Sequence, residues 1–416
     1  MPHSRRGPRS RRAIGTACLV AALGLATPGL AQTSAAEAER QAVFQQMLAS
    51  PADRALMRQY AALSVQLRDF EGAAATLERL VDLEPTNSPA RLELAIAYFA
   101  LGNYDLAEYH MAAAQASGGL SAEDLAEVVR YRTEAAENDA PSRIKGRVSL
   151  GQAFTDEAAE QGLFASGKLE WRLDMGGANA DDFLLEMAFS SFQPGDDSVN
   201  DRLTASLRAG PEFRLTGDAY GPRLQPYVEL QTLHDNEAVF GDFNSWALGL
   251  AYQNPISASW TVYSDLSYGE ATEDDLNGED FTFTEAELGA TWRPSRETRL
   301  RATLAVFRQE GEFETDRDGH SFRLAAQHTF DPGFEGLPRR WVVGGFGEVE
   351  QTHVDYSGFF EEDVKERAFG LWLSAFVTED IFIETRATQI NRKTGDDFFT
   401  FKEKETIMSI QLGWEF

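Results

Sequence analysis

The chain reads as an α + β multidomain protein: an N-terminal all-α repeat solenoid followed by a 14-stranded antiparallel transmembrane β-barrel. Three observations predict this. Residues 36–139 are rich in Ala, Leu and Glu and carry a 34-residue self-similarity. From Ile144 onward that helical period gives way to alternation of apolar and polar side chains. The last nine residues, Met408–Phe416, alternate strictly between bulky apolar and small or polar groups and end on an aromatic, the period-2 pattern of a strand with one face in lipid.

Residues 1–31 read as a secretory signal peptide. Arg5, Arg6, Arg9, Arg11 and Arg12 precede an apolar run from Ala13 to Leu25, and Pro28–Ala31 supplies the cleavage segment. The single cysteine, Cys18, lies inside that run, so the mature chain is expected to hold no disulfide, thiolate nucleophile or Cys-ligated metal. No other stretch has the roughly 18 consecutive apolar residues that a membrane helix needs. The formal charge of -28 becomes -33 once the five leader arginines are removed, because residues 1–31 contain no Asp or Glu. Such acidity argues against nucleic acid as a partner.

Within residues 36–139, Ala61 matches Ala95, Phe70 matches Tyr104, Ala73 matches Ala107 and Leu77 matches Met111, each at a spacing of 34. This period resembles the tetratricopeptide repeat, a helical hairpin in which small alanines let paired helices approach and aromatics fill the groove. Pro85 closes the first copy. Two copies bury little surface alone, so helices before residue 52 and after Ser121 are expected to cap the stack, the last opening on a capping box of Ser121 and Asp124. A binding module is the expected role. Residues 140–143 follow as a linker, with 144–416 as the barrel.

Alternating segments recur near 145–155, 163–175, 183–193, 201–215, 223–234, 243–253, 258–269, 281–293, 298–309, 320–330, 340–352, 366–377 and 380–391; the C-terminal strand is the fourteenth. Short connections at 254–257, 294–297 and 378–380 interleave with longer stretches at 270–280, 310–319, 353–365 and 392–402, the rhythm of periplasmic turns and outside loops. An even strand number puts both barrel ends, and the repeat domain, in the periplasm. Trp414 and Phe416 resemble the assembly signal read by the barrel-assembly machinery of the outer membrane.

Pro89–Ala107, with Leu94, Ala95, Tyr98, Gly102, Tyr104 and Ala107 at the repeat positions, looks like the second repeat of the surface lipoprotein assembly modifiers, or Slam proteins. That family joins periplasmic tetratricopeptide repeats to a fourteen-stranded outer-membrane barrel, and the resemblance extends in architecture across the mature chain. The family tends to carry an Asp/Asn-rich segment after its first strand, which Thr155–Ala158 matches poorly. The resemblance implies a translocator in the cell outer membrane that moves a surface lipoprotein or related protein cargo outward, with periplasmic chaperones as further partners. Register places Arg58, Arg91, Tyr98 and Asn103 on the expected cargo-facing side. The alternative is a porin-like channel or an assembly scaffold with a periplasmic tether. For a porin, Arg208, Arg299, Arg301 and Arg386 would form a lumen constriction; paired with Glu186 and Glu384, they would instead hold the barrel's shape. No enzyme activity, catalytic residue, cofactor or metal is expected: the His234, His320–Ser321 and His353 segments lack a nucleophile motif, and the acidic stretches read as solvated loops.

Overall fold

The computed structural model describes all residues except 1–26, 156–160, 177–180, 196–200, 217–220, 236–242, 258, 274–279, 312–314, 357–359 and 396–399. Most of the expected leader, and the segment after the first strand, thus lie outside the described residues. The chain divides into two compact units, Met1–Asn138 and Asp139–Phe416.

The first unit is all helix: α1 (Thr27–Ala49), α2 (Arg54–Gln66), α3 (Phe70–Leu83), α4 (Ser88–Ala100), α5 (Tyr104–Ser117) and α6 (Ala122–Asp139). Its punctuation repeats at 34 residues as strictly as its core. Asp53 and Asn87 cap α2 and α4, accepting bonds from Ala55 N at 2.9 Å and Ala90 N at 3.1 Å. Asp69 and Asn103 cap α3 and α5, accepting from Gly72 N at 2.9 Å and Leu106 N at 3.3 Å. Each hairpin turns through a residue with positive φ, Arg68 at 62° and Gly102 at 75°; only the second is free of the Cβ penalty. Ser121 and Asp124 form the reciprocal capping box, with bonds of 3.0 and 3.1 Å. The matched small and large residues are the interior: Ala61, Ala73, Ala95, Ala107, Leu77 and Met111 are all buried. Two apolar clusters result, one around Leu77, Leu80 and Leu94, the other around Phe99, Met111 and Val128, and Tyr98 packs against both.

The second unit is a closed antiparallel barrel of fourteen strands. They are β1 (Ser142–Thr155), β2 (Gly162–Asp174), β3 (Asp182–Pro194), β4 (Arg202–Arg214), β5 (Arg223–Asp235), β6 (Phe243–Pro255), β7 (Trp260–Glu273), β8 (Phe281–Trp292), β9 (Thr298–Gly311), β10 (Thr315–Phe330), β11 (Arg340–Tyr356), β12 (Glu361–Phe376), β13 (Ile381–Gly395) and β14 (Thr400–Glu415). Successive strands pair, and β1 closes on β14 from Arg147↔Glu415 to Thr155↔Ile407. β1 therefore takes in Ser142 and Arg143, assigned above to the linker.

Alternation sorts the side chains. Met408, Ile410, Leu412 and Trp414 are exposed on the outer face, in register with Ile383 and Ile381 of β13 and with Leu150 and Val148 of β1. From Phe416 to Met408, at about 3.4 Å per residue and a tilt near 40°, this face climbs roughly 21 Å, close to the ~25 Å apolar band of a membrane barrel. Trp171, Trp260, Trp292, Trp341 and Trp414 ring the outer face at the end where β1 begins and β14 finishes, called the lower end below. Trp260 stacks on Trp292 at 5.7 Å. Trp171 and Trp341 donate their indole N–H to Ser142 Oγ and Pro338 O, at 2.9 and 2.8 Å, as interface aromatics do. This is an outer-membrane type of barrel.

The expected loop rhythm does not survive. Residues 315–320 pair with 351–356, 361–366 pair with 350–355, and 400–406 pair with 389–395, so most of three stretches read as outside loops is ladder. β10 to β14 continue above the apolar belt, where both faces meet water and period-2 hydropathy vanishes.

Candidate functional site

In the helical unit, the polar side chains form two neighbouring groups. The Tyr98 hydroxyl of α4 donates to Glu78 Oε1 of α3, while its ring stacks on His110 of α5 at 5.5 Å and 15°. Arg91, about two turns earlier on α4, donates to Pro85 O at 2.9 Å and stands close enough to repel a proton on His110. Burial pushes the Tyr98 hydroxyl up to about 12, and the bond to Glu78 adds to the rise. Burial also holds His110 below its ordinary value, with Arg91 adding to the effect. His110 Nδ1 and Arg91 Nε are buried with no hydrogen-bond partner among the described residues.

The second group gathers around Glu84. Arg54 and Arg58 of α2 reach its carboxylate at 3.0 and 2.8 Å. A hydrogen bond from Asn87, reinforced by the two arginines, holds Glu84 below the usual carboxylate range. Glu93 of α4 also feels Arg58, yet burial raises it. Of the residues assigned to cargo, Arg58, Arg91 and Tyr98 thus sit in or beside this polar surface, each already engaged within the domain. Asn103 stands apart as the α5 cap. Glu78, Glu93 and His110 belong to the surface and were not singled out from sequence. The signal was there for His110, which takes the place of Thr76 one repeat earlier.

The barrel's inner face is lined by charge pairs that skip strands. Arg208 of β4 reaches Glu229 of β5 at 2.7 Å and Asp265 of β7 at 2.9 Å, while Tyr227 donates to Asp265 at 2.5 Å. Arg172 of β2 binds Glu212 of β4 at 2.6 Å, and Arg143 of β1 binds Asp182 of β3 at 2.6 Å. Glu384 of β13, 2 % exposed, accepts from Arg147, Ser374, Arg386 and Gln411. Several of these guanidiniums lie flat on aromatic rings: Arg147 over Phe382 at 3.9 Å and Arg208 over Tyr227 at 4.0 Å. Phe382 and Tyr227 in turn lie over Gly413 and Gly249, where any Cβ would collide with the ring. Glycine is required there because the aromatic occupies the side-chain space.

Between these groups lies a cavity of about 730 Å³ on the inner face of β2–β9, lined among others by Arg208, Asp265, Glu285, Arg299 and Arg301. Arg208 and Arg386 are held in pairs. Arg301 contacts the Tyr263 hydroxyl at 2.7 Å and Glu287 at 3.6 Å. Glu186 pairs with Lys168 at 3.5 Å and not with an arginine. Arg299 has no partner among the described residues, and Arg293 and Arg301 are its charged neighbours. Of the histidine segments, His320 faces outward and Ser321 inward on β10, and His353 bonds Asp363 at 3.0 Å at the barrel rim.

A tetratricopeptide-repeat family model matches residues 64–123. No curated protein matches the chain. Among solved structures, the barrel is similar to OmpT, an outer-membrane protein of Vibrio cholerae, at 7% identity over 66% of this chain and 99% of that one, with a TM-score of 0.40. It is also similar to an anion-selective porin from Comamonas acidovorans, at 11% identity over 66% and 99%, TM-score 0.35. The helices are similar to the TPR2B domain of yeast Sti1, solved in complex with an Hsp70 peptide, at 20% identity over 25% and 86%, TM-score 0.23. Likenesses this distant carry no functional argument.

Proposed function

We infer that this chain is an outer-membrane translocator that moves a protein cargo, of the surface-lipoprotein type, to the cell exterior. The observation that carries the reading is the union on one chain of a tetratricopeptide-repeat unit and a closed, lipid-facing barrel with a charged interior. Repeats of this class hold extended peptide segments, and a barrel alone needs no such module to pass small solutes. In this reading the helices are periplasmic and capture cargo through the surface around Arg58, Arg91 and Tyr98. The barrel then offers it a polar route, the barrel-assembly machinery having read the strand that ends at Trp414 and Phe416. Arg58→Glu with Arg91→Glu is expected to reduce surface delivery of a co-expressed cargo at least tenfold while the barrel still inserts. Undiminished delivery by that double variant sinks the assignment of this surface.

The cavity lined by Arg299 and Arg301 favours one other reading, an anion-conducting channel. Stable single-channel conductance with anion selectivity, lost in Arg299→Ala, would move the conclusion there.

A further inference from the structure

The outer face of β12, β13 and β14 carries a feature that only the strand register reveals. Lys365 of β12 stands directly opposite Lys393 of β13, and Lys393 directly opposite Lys402 of β14. One step below, Arg367, Asn391 and Lys404 form the next row. These residues share the parity of the lipid-facing side chains: beneath them come Phe369, Gln389 and Thr406, and then the apolar row of Leu371, Ala387 and Met408. Leu371 and Met408 are 70% and 57% exposed. Five cations therefore sit immediately above the apolar belt on three adjacent strands of a chain whose formal charge is -28.

Like charges directly opposed across a ladder repel and destabilise the pairing. Nothing within the described residues relieves them: none of Lys365, Arg367, Lys393, Lys402 and Lys404 forms an ion pair there. The acids at the same rim are otherwise engaged, since Asp363 and Glu361 lie beside His353 at 3.0 and 3.9 Å. Lysines also serve to keep a sheet edge from pairing, but Lys365 and Lys393 lie on strands paired on both sides. Strands are about 4.8 Å apart, so the three opposed ammonium groups line a strip about 10 Å wide, the scale of a phosphorylated sugar head.

We propose that this face binds the phosphorylated headgroup of an outer-leaflet glycolipid, with its acyl chains lying on Phe369, Leu371 and Met408. Two requirements of such a ligand meet here, anionic oxygens above and hydrocarbon below, at the height where the bilayer changes from one to the other. The outer-leaflet source rests on the orientation in the proposed function, because the patch lies at the barrel end opposite both strand termini.

The test uses the purified full chain in phosphatidylcholine nanodiscs containing lipid A, either with its phosphates or enzymatically dephosphorylated, with bound glycolipid measured by native mass spectrometry. The phosphorylated form should bind at least tenfold more tightly, and Lys365→Gln/Lys393→Gln/Lys402→Gln should abolish that preference without lowering the barrel's unfolding temperature. Equal binding of the two forms, or an undiminished preference in the triple variant, overturns the site. Displacement of the lipid by millimolar inorganic phosphate would show a free-anion site and overturn the lipid assignment. Orientation is read separately, from Lys393→Cys and a membrane-impermeant maleimide. Reaction in intact cells supports the outer-leaflet source. Reaction only after lysis overturns the orientation and, with it, that source.

Discussion

His110 shows how a single buried side chain couples the helical unit to pH. Its folded value lies below the ordinary 6.5, because burial and Arg91 disfavour the charged ring. The unfolded chain therefore takes up the proton first, and stability present above about pH 6.5 is lost as pH falls toward the folded value. The free energy of opening in α4 and α5, taken from amide exchange corrected for the intrinsic rate at each pH, should fall between pH 7 and 5, and His110→Gln should flatten the slope. Glu93, raised by burial, acts with the opposite sign, so the comparison is best made in a Glu93→Gln background. A pH-independent opening free energy in that background would contradict the assignment. Glu384 is the corresponding residue of the barrel. Its removal leaves Arg147 and Arg386 without their shared carboxylate, and breaking a buried pair typically costs about 3–5 kcal/mol. Glu384→Ala should lower the temperature at which the folded gel band is lost, whereas Glu384→Gln, which keeps the shape and one acceptor oxygen, should lower it less. At this scale the sequence was legible where spacing alone sets contact, as with Ala61 and Ala95. It was not legible for Arg208, whose partners Glu229 and Asp265 depend on which strands the closed wall brings round.

The elements divide in the same way. Each lipid-facing strand could be read because one face is apolar and the other polar, a contrast that membrane imposes and water does not. Residues 315–319 and 400–402 escaped the reading because, above the belt, adjacent positions such as Asp316 and Arg317, which face opposite sides, are both polar. The pairing of three lysines escaped it for a different reason: register is a property of neighbouring strands, and Lys365, Lys393 and Lys402 are far apart in the chain. The closing ladder between β1 and β14 bears on the proposed route. It joins nine residue pairs, while β14 itself continues beyond Ile407 to Thr400. If cargo folds against the β14 edge, this seam must open. Ala153 and Ser409 are directly opposed across it, on the inner face, within the separation a disulfide accepts. Ala153→Cys with Ser409→Cys should therefore block cargo delivery under oxidising conditions, with recovery on reduction. Delivery that ignores the crosslink would confine the route to the closed lumen.

At the scale of the whole molecule, two units of opposite design share one chain. One buries alanine-rich helix faces and keeps its polar groups on the surface; the other turns its apolar side outward and keeps Arg–carboxylate pairs within. The fold class could be read from periodicity because each unit carries its own period, 34 residues in the repeats and two where the barrel wall has one apolar face. Cargo identity has no such period, and only its consequence can be measured. The most direct measurement is protease accessibility, on intact cells, of a lipoprotein encoded beside this gene, co-expressed with the full chain, with a chain lacking residues 36–139, or with neither. The account predicts cleavable cargo only with the full chain, and cargo retained inside when the repeat unit is missing although the barrel inserts. Equal exposure in all three cells would contradict it.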